Sequence, residues 1–158
     1  MSLLFADDTN MFHVGSDILT MVATINNEIA KVNEWLKANK LSLNVDKTNF
    51  MLFSPRNRNI PIIDIKIDGN SIERVYETKF LGVIIDENLS WGPHIRYIKN
   101  KISKSIGIIL KGRKVFDTEI LLSLYNTLVY PYLSYCIQVW GSAYNSLLSN
   151  LIQLQKRI

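Results

Sequence analysis

Five isoleucines, Ile95, Ile98, Ile102, Ile106 and Ile109, recur at spacings of three and four. At 100° per residue they fall within an arc of about 80° on a helix. So narrow an apolar stripe commits the segment after Asn88 to an α-helix laid against a core. The rest of that helix is basic. Arg96, Lys99, Lys101, Lys104 and Lys111 lie outside the arc, Arg113 and Lys114 follow, and no acid occurs between Asn88 and Phe116. A second stripe comes earlier in the chain. Ile18, Val22, Ile25, Ile29, Val32 and Leu36 alternate spacings of four and three, which predicts a helix beginning near Ser16 or Asp17 and ending near Asn39, with Trp35 beside the stripe.

Between and around these helices the pattern is strand-like. Residues 3–14 read as a β-hairpin with the acidic pair Asp7-Asp8 at its turn. Leu41, Leu43 and Val45 alternate with polar residues as in a strand, and residues 50–53 read as another. Two prolines, two arginines and two asparagines make residues 54–61 a loop. Residues 62–67 alternate up to a bend at Asp68-Gly69-Asn70. Residues 79–86 read as one buried strand, in which Gly82 permits a bulge or a close backbone approach. Two further helices are predicted over 118–139, kinked or broken near Pro131, and over 144–157. The expected class is therefore α+β, with a small antiparallel sheet and a packed helix in front and a helical region behind, the boundary near Leu89. No internal repeat or low-complexity tract is visible.

The chain has 158 residues, 47% of them hydrophobic and 20% charged, the balance of a folded domain and not of a disordered tail. Its net charge of +4 is unevenly distributed. Residues 1–55 carry four lysines against six acids, whereas from Arg56 onward fourteen basic residues face eight acids. An acidic site followed by a basic segment fits a metal centre that feeds an anionic polymer. Cys136 is the sole cysteine, which excludes an intrachain disulfide and a cysteine-based zinc site and points to a reducing compartment. His13 and His94 are isolated and read as structural or surface residues. The N-terminus has no basic leader, so an intracellular protein is expected. Residues 120–155 contain no charge, but Asn126, Thr127, Pro131, Ser134, Gln138, Gly141, Ser142 and Asn145 interrupt any membrane-length apolar run. No membrane partner is expected, and the segment reads as helices packed against something.

Asp7 and Asp8 carry the chemistry. Adjacent carboxylates repel and lose hydration when partly buried, so they call for a cation or a cradle of hydrogen bonds. Mg2+ suits them, because it takes oxygen ligands and is commonly held by one or two carboxylates together with substrate phosphates. A solvated Asp-Asp turn is the plainer alternative.

Phe5-Ala6-Asp7-Asp8, followed by Thr9, resembles the aromatic-Ala-Asp-Asp motif of reverse transcriptases in the form found in non-LTR (LINE-like) retrotransposons. The order of later segments is similar too. Trp35-Leu36 leads into Leu41-Ser42-Leu43-Asn44-Val45-Asp46-Lys47-Thr48, which looks like the segment after the metal-binding hairpin. Phe80-Leu81-Gly82-Val83 resembles the strand and turn that grip the primer end. Residues 125–140, with Tyr130-Pro131-Tyr132-Leu133-Ser134-Tyr135, are similar to the helical region after the palm.

This resemblance implies an RNA-directed DNA polymerase, a nucleotidyltransferase using an RNA template, a DNA primer, deoxynucleoside triphosphates and two Mg2+ ions. Residues 1–88 would be the end of the palm and 89–158 a thumb-like or connection-like helical region. Asp7 would be the firmer metal ligand, with Asp8 assisting. Lys47 would meet incoming phosphates or help protonate pyrophosphate, or else is a surface lysine beside a turn. Phe5 and Ala6 would flank the primer end, unless Phe5 is a plain core aromatic. Leu81 and Gly82 would position the primer, or form a structural bulge. Arg96, Lys99, Lys104 and Lys111 would run along phosphates, although a solvated face explains the same charges. The family's further metal-binding aspartate and its fingers lie upstream of the Asp-Asp pair, and only four residues precede Phe5 here. The 158 residues alone are therefore expected to be inactive as a polymerase, needing the missing N-terminal fingers and palm. A non-catalytic nucleic-acid-binding remnant is the alternative. Nuclear location is implied only by likeness to elements that integrate into chromosomes, and cytoplasmic location stays open.

Overall fold

The computed structural model describes residues 2–5, 8–54 and 60–157. The chain forms two compact units that divide between Val75 and Tyr76.

In the first unit, β1 (Ser2–Phe5) and β2 (Asp8–Met11) pair antiparallel, with Ser2 opposite Met11 and Phe5 opposite Asp8. Helix α1 (Ile18–Ala38) follows, within a residue or two of its expected bounds. Both ends are capped by side chains. The Asp17 carboxylate accepts from the Thr20 N–H at 2.7 Å, and Asn39 donates through its amide nitrogen to the Trp35 carbonyl at 2.8 Å. Such caps satisfy groups that the helix itself leaves unpaired.

Two strand expectations need correction here. The alternating stretch Leu41-Leu43-Val45 joins no strand; it leads into a short 3-10 turn (Val45–Lys47) whose Lys47 N–H is capped by the Asn44 side chain. The strand expected over 50–53 shrinks to β3 (Asn49–Phe50). The remaining strands of this unit are β4 (Lys66–Ile67), β5 (Asn70–Ser71) and β6 (Glu73–Arg74). β4 and β5 make the expected hairpin, its two-residue turn Asp68-Gly69 having φ of 53° and 81°. Both values are positive, as a type I′ turn requires, and Gly69 adopts its angle without steric cost. β3 pairs with β6 in parallel, a long-range ladder that alternation alone does not reveal.

Ile65, Ile67 and Ile72 are the buried centre of this unit, covered by Ile25 and Ile29 of α1 and by Leu43, Val45 and Phe50. Asn26 of α1 works like a strand edge. It donates to the Asp64 carbonyl at 3.2 Å and accepts from the Lys66 N–H at 2.9 Å. Lys37 meets Asp68 at 2.7 Å, and that hydrogen bond, reinforced by the lysine charge, lowers the Asp68 pKa. Asp64 is lowered chiefly by the Ser71 hydroxyl and then by Lys66.

In the second unit the single strand expected over 79–86 is a hairpin. β7 (Glu77–Phe80) and β8 (Val83–Asp86) pair antiparallel around Leu81-Gly82, whose φ values are 45° and 85°. Helix α2 (Gly92–Gly112) carries the isoleucine stripe. It is followed by α3 (Thr118–Leu128), α4 (Tyr130–Ser134), α5 (Ile137–Trp140) and α6 (Asn145–Gln155). The break expected near Pro131 falls at Val129. Proline in a helix interior removes a hydrogen bond and crowds the preceding turn, but it suits a first turn, and here it sits in the first turn of α4. A second break comes at Cys136, which has φ of 51°.

All five stripe isoleucines are buried, together with Val129, Trp140, Ala143 and Leu151. The uncharged stretch 120–155 thus packs against α2. No helix of the described residues is long and apolar enough to cross a membrane. The architecture is α+β, with two-stranded sheets and a long helix in the first unit and a hairpin followed by helices in the second.

Candidate functional site

The acidic hairpin opens the chain. β1 and β2 bring Phe5 opposite Asp8. Ala6 and Asp7 lie outside the described residues, while Asp8 begins β2. The pair offers only carboxylate oxygens, a donor set fitted to Mg2+ and unsuited to softer metals. Among the described residues no group of three or more His, Cys, Asp or Glu could hold a metal ion. Lys47, in the same unit, closes the 3-10 turn, where its N–H meets Asn44 Oδ1 at 3.2 Å, and its side chain is exposed.

Leu81 and Gly82 occupy the exposed tip of the second unit's hairpin. Leucine rarely adopts positive φ, because its Cβ crowds the next carbonyl. Here a distant side chain holds the turn. Tyr135 Oη donates to the Leu81 carbonyl at 2.7 Å. The same ring leaves no comfortable room at Gly82, where an added Cβ would stand 3.1 Å from Tyr135 Cε1. The close approach expected at Gly82 is therefore made by a tyrosine ring. Tyr135 is itself tied down through its carbonyl, which accepts from Trp140 Nε1 at 2.8 Å. The neighbouring Cys136 thiol raises the Tyr135 pKa, which keeps the proton on the donating hydroxyl.

The hairpin is joined to α2 by two buried polar side chains. The Asp86 carboxylate accepts from the Ser90 N–H at 3.0 Å and the Trp91 N–H at 3.1 Å. These bonds brace a connection in which Leu89 and Trp91 both have positive φ. His94 Nδ1 accepts from the Ile84 N–H at 3.2 Å, docking the first turn of α2 on β8. Its ring packs edge-on against Trp140, with centroids 5.7 Å apart. Burial lowers the His94 pKa, so the imidazole is neutral at pH 7. His13 lies 3.0 Å from Glu28 in the first unit.

Arg96, Lys99, Lys104 and Lys111 are all exposed on α2, and none of them has a carboxylate partner among the described residues. At about 100° per residue they do not share one face. Arg96 and Lys99 border one side of the isoleucine stripe, whereas Lys104 and Lys111 lie opposite it. Lys101 and Tyr97 accompany the second pair, and Lys79 reaches the same ring from β7. Sequence reasoning did not single out Tyr135, Asp86, Lys79 or Tyr97. The (i, i+4) spacing of Tyr97 and Lys101 was a local signal; the Tyr135 contact, spanning 54 residues, left none.

No protein-family model matches this chain, and no solved structure matches it. Its similarity is to longer polymerases of mobile elements. It is 26% identical over 157 residues, 98% of its own length, to the RNA-directed DNA polymerase from mobile element jockey of Drosophila funebris. The corresponding jockey protein of Drosophila melanogaster is 24% identical over 97% of the chain. The probable RNA-directed DNA polymerase from transposon X-element of Drosophila melanogaster is 22% identical over 81% of it. The chain spans 17% of the length of both jockey proteins and 14% of the X-element protein.

Proposed function

We propose, from the premise that this chain is a distant homologue of the RNA-directed DNA polymerases of non-LTR retrotransposons, that it forms the last part of the palm and the thumb-like helices of such an enzyme. The observation that carries this reading is the extent of the similarity, 157 residues that include the Asp-Asp hairpin and the helical region alike. Residues 1–88 are the palm part and 89–158 the thumb-like part.

In this reading Asp7 and Asp8 hold Mg2+. The metal they would hold supplies activation of the primer 3′-hydroxyl and neutralisation of charge on the leaving pyrophosphate. Such a site needs carboxylates from more than one strand, and Asp7-Asp8 would supply one side. Phe5 and Ala6 flank the primer end, Leu81 and Gly82 position it, and Lys47 meets the phosphates of the incoming nucleotide. Arg96, Lys99, Lys104 and Lys111 contact the template–primer backbone. The 158 residues by themselves bind template–primer without extending it.

The carboxylate-free basic surface of α2 favours a second reading, a nucleic-acid-binding module that works without catalysis. Anisotropy of a labelled RNA–DNA hybrid, combined with primer extension, tests both. The expected outcome is binding that survives Asp7→Asn/Asp8→Asn, with no nucleotide incorporated by the 158 residues. Absence of binding would refute both readings. Robust Mg2+-dependent extension by the isolated chain would refute the claim that it is incomplete.

A further inference from the structure

We propose that Lys79 and Lys101, converging on the ring of Tyr97, form a clamp for a backbone phosphate of bound nucleic acid, continued along α2 by Lys104 and Lys111. The clamp rests on the reading that this chain handles nucleic acid, and it adds residues that the resemblance did not bring in.

The two ammonium groups come from different elements, β7 and α2. Their Nζ atoms stand 5.8 Å and 5.6 Å from the Tyr97 ring centroid. Each such contact is a weak electrostatic attraction at an exposed site. That is enough to favour one placement of a flexible side chain without fixing it. The ring is neutral, so it holds both lysines and cancels neither charge.

Other lysines of the chain are placed differently. Lys37 and Lys66 are paired with Asp68 and Asp64 at 2.7 Å and 3.0 Å. Their charge is already answered by a carboxylate. Lys79 and Lys101 have no carboxylate partner among the described residues, and both are exposed. Two cations beside one ring raise the local positive potential, which draws an anion to their side of the helix.

The surroundings specify the shape of the anion. Tyr97, Lys101, Lys104 and Lys111 fall within an arc of about 80° opposite the isoleucine stripe. Ile108 alone interrupts that strip between Tyr97 and Lys111. From Tyr97 to Lys111 the helix rises about 21 Å at 1.5 Å per residue. A strand with one phosphate per ~3.4 Å of helix axis presents about six phosphates over that length. A linear polyanion meets a strip of this kind along its whole length, whereas a small anion would meet the clamp only.

The test is the salt dependence of binding by the full chain, read as anisotropy of a fluorescein-labelled RNA–DNA hybrid between about 50 and 200 mM salt. Each phosphate contact contributes about 0.9 to the slope of log K against log salt. Lys79→Gln/Lys101→Gln should lower that slope by about 0.9 to 1.8 units, so that the salt-induced loss of affinity shrinks by about 3.5- to 12-fold. Lys79→Arg/Lys101→Arg should restore it. Lys31→Gln/Lys156→Gln, which removes two exposed lysines elsewhere, should leave the slope within half a unit of the parent chain.

Equal losses from both Gln pairs would overturn the clamp, since net charge alone would then explain binding. Tighter binding to phosphatidylserine vesicles than to the hybrid at the same salt would overturn it in favour of a membrane surface. A parent chain that binds no hybrid would overturn the nucleic-acid reading itself, a failure distinct from loss of the clamp within a chain that binds.

Discussion

Tyr135 holds the strained carbonyl end of Leu81 by a 2.7 Å hydrogen bond, joining the start of a helical break to the tip of a hairpin 54 residues earlier. Removing the hydroxyl with Tyr135→Phe should cost about 1 kcal/mol, the usual net worth of such a bond. Gly82→Ala should cost more, about 1–2 kcal/mol for the positive φ alone, with the 3.1 Å approach to the Tyr135 ring added to it. Urea unfolding midpoints of the two variants, compared at equal m-value, check the order.

The isoleucine stripe gives a second expectation. Ile102 is fully buried, whereas Ile108, further along the same helix, is 55% exposed. Ile102→Ala should destabilise by about 2–5 kcal/mol through lost burial and the cavity left behind. Ile108→Ala should stay within about 0.5 kcal/mol of the parent. Thermal unfolding followed by circular dichroism distinguishes the two.

Asp86 should behave as a bracket for the turn into α2. Asp86→Ala strands the N–H groups of Ser90 and Trp91 and should cost about 2 kcal/mol. Asp86→Asn keeps an oxygen where both bonds converge and should lose about half as much. Amide exchange at Ser90 and Trp91 should quicken in the Ala variant and little in the Asn variant.

His94 carries a pH dependence whose sign follows from its burial. Its pKa in the fold is held below the ordinary value of about 6.5, so the unfolded chain takes up the proton more readily. The stability it contributes is fully present above that ordinary value and is lost as pH falls below it and through the lowered one. Protonation would also place a second N–H at Nδ1, against the Ile84 N–H already pointing there. Asp64 and Asp68, lowered from an ordinary 3.8, act in the same direction in a more acidic window. The His94 imidazole signal in an NMR titration should have its midpoint below 6.5, and the unfolding temperature should fall over the same range.

Both long helices were legible in the sequence because a continuous apolar stripe has only one periodicity that buries it. Asp17 lay at the expected start of α1 and caps it, whereas the end near Asn39 was read from the change of periodicity at Leu41. The alternation of Leu41, Leu43 and Val45 misled because a strand needs a partner as well as a pattern, and here the chain turns at Val45 before one is reached. The turn at Leu81-Gly82, implied by the resemblance, was hidden from the residue pattern by its first residue, since leucine at positive φ breaks the usual turn chemistry and is tolerated through a contact from Tyr135. Of the candidate site, the residue types were legible and their grouping was not. Lys79 and Lys101 are 22 positions apart, and only the docking of the β7–β8 hairpin on α2 through β8 brings both to Tyr97.

Paramagnetic broadening by Mn2+ tests the proposal that Asp7 and Asp8 hold the ions of a polymerase palm. In a 15N-labelled chain, low Mn2+ should broaden the amide signals of residues around Asp7 and Asp8 first, and excess Mg2+ should restore them. Asp7→Asn/Asp8→Asn should abolish that local effect. Broadening that centres on other acids, or that persists unchanged in the double variant, would contradict the assignment of the pair as the metal-binding carboxylates.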